Sequence, residues 1–127
     1  MKYKKTNEYD EILKDLITTE SELGYITENG ISVGIVAGNA KKMKGNATVY
    51  ADCRKVPEMY RLFAPYDFII TIYEPSCRMF CDEQMRILIF HELLHIGCKN
   101  GKTFTRSHDL EDFKLIIDRY GVDWDAN

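Results

Sequence analysis

The chain has 127 residues, 45% of them hydrophobic, enough for one domain with a real core and too few for two. Seventeen basic residues against 20 acidic ones give a net charge of −3, so overall charge offers no argument for a nucleic-acid or anionic-membrane partner. The basic start runs into Thr6-Asn7-Glu8-Tyr9-Asp10-Glu11 rather than an apolar leader, and no apolar run is long enough to cross a bilayer. An intracellular, cytoplasmic protein is therefore expected.

In that compartment Cys53, Cys77, Cys81 and Cys98 are expected to be reduced thiols. Cys77 and Cys81 lie four apart, but no second Cys/His pair at zinc-finger spacing supports a structural zinc there. The lysines at Lys2, Lys4 and Lys5 and at Lys41, Lys42 and Lys44 read as a solvated terminus and a solvated loop.

Asn7 can cap a first helix, and Tyr9, Ile12, Leu13, Leu16 and Ile17 follow at helical spacing, which predicts a helix over about 7–22, ended by Gly24. Residues 31–37 alternate apolar and small or polar side chains and predict a strand. The glycine-bounded basic stretch 38–46 reads as a loop leading to a neighbouring antiparallel strand over 47–53. Val56 to Phe63 predicts a short helix with Met59, Leu62 and Phe63 inward, stopped by Ala64-Pro65. Tyr66 to Tyr73 is the strongest strand pattern, continuous, β-branched and aromatic.

Asp82 opens the next helix, with Asp82 and Glu83 suited to its first turn and Gly97 expected as its stop. Cys98 to Arg106 reads as a polar loop with a turn at Asn100-Gly101. Ser107 can cap a last helix, whose stripe is Leu110, Phe113, Ile116 or Ile117, and Tyr120; Gly121 ends it and Trp124 anchors the tail. The elements predict an α+β fold in a single domain over 1–127, with a small three-stranded sheet packed on a buried helix and a C-terminal helix after it.

That buried helix carries the chemistry. Ile87, Leu88, Ile89, Phe90, Leu93, Leu94 and Ile96 leave polar only the positions of His91, Glu92 and His95, which spell His-Glu-x-x-His. Histidines four apart on a helix lie one turn above each other, where one divalent metal can take both. Three polar groups on a core helix need a partner, because an unpaired neutral polar group costs about 2–7 kcal/mol to bury. A zinc hydrolase needs this set: a cation that makes water acidic and a carboxylate that takes its proton.

A catalytic zinc commonly takes three protein ligands. The chain has three histidines, and His108, at the start of the last helix, is the first choice for the third ligand. Glu111, one turn on, is the runner-up; Asp109 or Asp112 could orient a ligand histidine. The longer H-E-x-x-H-x-x-G-x-x-H pattern is excluded, because Cys98 and Gly101 stand where it needs glycine and histidine.

The run from Val49-Tyr50-Ala51 through Tyr66-Asp67-Phe68-Ile69-Ile70, then His91-Glu92-Leu93-Leu94-His95-Ile96, His108-Asp109 with Asp112-Phe113, and Tyr120-Gly121-Val122-Asp123-Trp124 resembles the phage metallopeptidases, small domains of phages and prophages. The likeness runs from about residue 30 onward and is most specific in the HELLH helix and the tail. It implies a minimal zincin-like fold, with His91, His95 and His108 as zinc ligands and Glu92 as base.

The expected activity is zinc-dependent hydrolysis of a peptide or protein substrate, with Arg106, Tyr73 and Tyr120 as chemical candidates for stabilising the oxyanion. The alternative is a non-catalytic binding module for a phage or host protein, its zinc closed by a fourth ligand from Cys98 or Glu111. Hydrolysis of a non-peptide amide is a third reading.

Overall fold

The computed structural model describes residues 1–107, 113–121 and 123–126. In chain order these form β1 (Tyr3–Lys5), α1 (Asp10–Thr19), a 3₁₀ turn (Ser21–Leu23), α2 (Gly24–Glu28), β2 (Val33–Gly38), β3 (Lys42–Lys44), β4 (Ala47–Val49) and β5 (Ala51–Lys55). A second 3₁₀ turn (Tyr60–Leu62), β6 (Phe68–Tyr73), α3 (Glu74–Cys77), α4 (Asp82–Leu93), β7 (Ile96–Lys99), β8 (Lys102–Thr105) and α5 (Lys114–Tyr120) follow. The fold is mixed α and β, as expected. Among the described residues no helix is long and apolar enough to cross a membrane.

The main sheet has four strands in the order β1-β2-β6-β5, where three were expected. The extra one, β1, is exposed throughout and so carries no hydrophobic signal in the sequence. β6 lies inside the sheet because its β-branched residues suit burial on both sides. It pairs parallel with β2, Ile35 opposite Ile70, and antiparallel with β5, Cys53 opposite Ile70. The strands at 31–37 and 47–53 were expected to be antiparallel neighbours; instead β2 and β5 flank β6. The stretch between them is a small β3–β4 hairpin, not a plain loop, turning at Gly45 with φ of +61°.

Strand alternation sorts β6 into two rows. Phe68, Ile70 and Ile72 are fully buried and face inward. Leu16 of α1, Ile26 of α2, Leu88, Ile89 and Leu93 of α4, and Phe113 and Ile116 pack with them in one core. On the outer row, the Tyr73 hydroxyl donates to Asp52 Oδ2 at 2.7 Å, and Lys42 Nζ donates to the same oxygen at 3.0 Å.

Several helix boundaries differ from expectation for local reasons. α1 stops at Thr19, where the Thr18 and Thr19 hydroxyls donate back to the carbonyls of Lys14 and Asp15 at 2.9 and 2.7 Å. Gly24 does not end a helix; it takes helical angles (φ −56°, ψ −31°) and opens α2. The helix expected over Val56 to Phe63 is only a 3₁₀ turn, too short to build an inward face. Leu62 and Phe63 are accordingly 78% and 91% exposed, and Met59 also faces solvent.

α4 begins where Asp82 predicts. Gln84 Oε1 accepts the Cys81 N–H at 2.9 Å, satisfying one of the amides left open at a helix start. Its regular turns end at Leu93, before Gly97, which lies in β7. The stretch expected as a polar loop after Gly97 is the β7–β8 hairpin, turning at Asn100 and Gly101 with φ of 54° and 76°. Downstream, α5 ends at Gly121 (φ +86°), and Trp124 tilts against Phe80 with ring centroids 6.3 Å apart.

Candidate metal centre

His91 and Glu92 occupy the last turn of α4, and His95 stands in the turn just beyond it. The buried apolar residues of α4, Met85, Ile87 to Phe90 and Leu93, seat the helix in the core, so Glu92 is only 4% exposed. His91 Nε2 lies 3.9 Å from one Glu92 carboxylate oxygen, and His95 Nε2 lies 3.9 Å from the other. One ligand atom from each of the three residues falls within 4.8 Å of the others. Among the described residues this is the one group of three or more metal-ligating side chains. Cys98 is not part of it.

The histidine rings are 5.2 Å apart at 70°, and the Phe113 ring lies edge-on to both, at 5.4 Å from His91 and 4.9 Å from His95. The Arg106 guanidinium sits over Phe113, 5.4 Å from its centroid. His95 is also gripped by main chain. Its Nδ1 is 2.7 Å from the Arg106 carbonyl oxygen, and the Arg106 N–H donates to the His95 carbonyl at 2.5 Å. A carbonyl only accepts, so Nδ1 carries the hydrogen and the lone pair of the neutral ring is on Nε2. That nitrogen faces Glu92. The Cys53 thiol, on the inner face of β5, is pushed well above its ordinary pKa by burial and then by the Glu92 charge.

The donor set fits a divalent metal. Two imidazole nitrogens and a carboxylate are ligands that zinc and related ions take, and an Nδ1–H held by a carbonyl is a recurrent second-layer arrangement at such sites. His108, Asp109, Glu111 and Asp112 lie outside the described residues. Of the three oxyanion candidates, Tyr73 is on the outer row of β6, with its hydroxyl committed to Asp52. Tyr120 packs at the margin of the core, whereas Arg106 borders the centre. The contacts of Phe113 and of the Arg106 main chain had no sequence signal: Phe113 reads as a core position, and a main-chain carbonyl is the same in every residue.

A model of the family described as "Putative phage metallopeptidase" matches residues 1–127. The chain belongs to this family. The match extends over the N-terminal helix, beyond the stretch from about residue 30 on which the resemblance rested. No curated protein matches the chain, and no solved structure does. Membership in a phage metallopeptidase family implies a metal and a peptide or protein substrate, and the His91, Glu92 and His95 group could bind such a metal.

Proposed function

We propose that this phage metallopeptidase hydrolyses peptide bonds with zinc, held by His91 and His95 through Nε2 and by His108, with Glu92 as general base. One observation carries the reading: two imidazoles and a carboxylate converge within 4.8 Å at the buried end of α4. The described residues that flank His108 in sequence support it. Arg106, two residues before it, is bonded to His95, and Phe113, five residues after it, touches both histidine rings. Glu111 is the alternative third ligand, and Asp109 or Asp112 would serve by orienting a histidine.

When bound, zinc supplies a Lewis acid that polarises a carbonyl and brings the pKa of water down to about 7. Glu92, between the two Nε2 atoms, accepts the proton from water on a carboxylate oxygen and delivers it to the leaving amine. Its burial strengthens the electrostatic interactions and hydrogen bonds it makes. Arg106, whose guanidinium lies over Phe113 beside the two histidine rings, is the candidate cation for charge developing on the carbonyl oxygen.

The test is zinc per chain by mass spectrometry, followed by peptidase assays. Wild type should hold about one zinc, and His108→Ala should lose most of it. Glu92→Gln should keep zinc and lose activity by about 10²-fold or more. Full activity in Glu92→Gln would overturn the mechanism, and undiminished zinc in His108→Ala would move the third ligand to Glu111 or Asp109.

A further inference from the structure

We infer that the β7–β8 hairpin is the device that presents His95 to the metal, by fixing which of its ring nitrogens faces the centre. The inference rests on the metal-centre reading above and concerns how the second ligand is held. Within a His-Glu-x-x-His helix both histidines would be placed by the same helical ladder. Here they are not. His91 is inside α4, whereas His95 lies past its last regular turn. The His95 N–H reaches back only to the Glu92 carbonyl, at 3.1 Å, a three-residue span instead of four.

What holds His95 is a strand pair. Ile96 is opposite Thr105 in the hairpin register. The Arg106 N–H to the His95 carbonyl at 2.5 Å extends that ladder one pair further, and the Arg106 carbonyl then receives His95 Nδ1 at 2.7 Å. The same main-chain unit thus grips the backbone of His95 and selects its tautomer.

The hairpin is braced away from the metal. Asn100 and Gly101 both take positive φ, as a tight two-residue hairpin turn requires. Phe104 lies on Gly97, where a Cβ would come within 2.4 Å of its ring, so the two strands close up at that pair. The Tyr25 hydroxyl donates to the Ile96 carbonyl. Lys55 Nζ donates to the Thr103 carbonyl at 2.8 Å, tying the hairpin to β5. The hairpin's own turn and strand pair, together with two elements distant in sequence, α2 and β5, therefore converge on the orientation of one imidazole.

The decisive measurement is long-range ¹H–¹⁵N NMR of the histidine rings in metal-free protein at pH 8. His95 should be neutral with its hydrogen on Nδ1, although a histidine in water favours Nε2–H. An Nε2–H tautomer at His95 would overturn the inference. Zinc affinity, by competition with a chelator, gives a second readout. Arg106→Pro removes the N–H and should weaken zinc about 10-fold or more, while Arg106→Gln keeps the main chain and should stay within about threefold of wild type. Equal affinities for the two variants would also overturn it. If Arg106→Pro does not fold by circular dichroism, the wild-type tautomer decides alone. His91→Ala separates the two levels. Retained zinc in that variant would sink the metal-centre reading itself. Lost zinc, together with an Nε2–H tautomer at His95, would sink only the hairpin's role.

Discussion

On one face of β6, Phe68, Ile70 and Ile72 meet Leu16, Ile26 and Leu93; on the other, Tyr73 meets the carboxylate of Asp52 beside Lys42. In line with that outer row, just before the strand, Asp67 accepts the Ser32 N–H at 2.9 Å and Arg61 Nε at 2.9 Å. The inner row gains from the removal of apolar surface from water, which is large and additive over many atoms. The outer row gains from directional polar bonds, each of which only replaces a bond to water and so contributes about 1 kcal/mol net. The metal centre belongs to the inner side, because α4 is seated on it. Damage to the inner row should therefore reach both stability and metal binding, and damage to the outer row should reach stability alone.

The largest expected effect tests that asymmetry directly. Phe68→Ala should cost about 3–5 kcal/mol in urea unfolding, since it empties a fully buried ring site. It should also lower zinc occupancy. Tyr73→Phe should cost about 1 kcal/mol, because Asp52 loses one hydrogen bond while keeping Lys42, and zinc occupancy should not change. If the two substitutions cost the same, the division between the faces is wrong.

The smallest effect lies at Asp67. Burial opposes its ionisation, but the Ser32 N–H, the Arg61 guanidinium and the Ser32 hydroxyl outweigh that and hold the carboxyl below its ordinary pKa. A folded pKa below the unfolded value means stability that is fully present above about pH 3.9, the unfolded value, and is lost as pH falls through the folded one. Asp67→Asn should thus cost about 1 kcal/mol or less at pH 7, given partial solvent screening. It should also flatten the acid limb of stability against pH; an unchanged acid limb would assign that loss to other carboxylates.

The parts legible in the sequence are those whose physics is local. The His-Glu-x-x-His spacing, the apolar run Ile87 to Phe90 of α4 and the β-branched run of β6 each state their structure within a dozen residues. Asp82 and Gly121 mark ends by their own chemistry, and Trp124 docks as an apolar tail residue should. What was not legible is non-local or carried by main chain. The parallel pairing of β2 with β6 joins segments more than 30 residues apart. The strands of both small hairpins are three or four residues long, too short for alternation to show, and all but β7 are mostly exposed. The apolar spacing of Val56 to Phe63 suits a helix, but the chain makes only a single 3₁₀ turn there.

β1 gives the sheet one of its two borders. Tyr3, Lys4 and Lys5 pair with Gly38, Ala37 and Val36, so this exposed strand covers the hydrogen-bonding edge of the more apolar β2. Two adjacent lysines on an outermost strand repel a second copy approaching edge-on, which makes the border a poor template for intermolecular pairing. Deleting the first five residues would leave Val33 to Gly38 as an open, uncharged edge, and the shortened protein would be prone to self-association through β2.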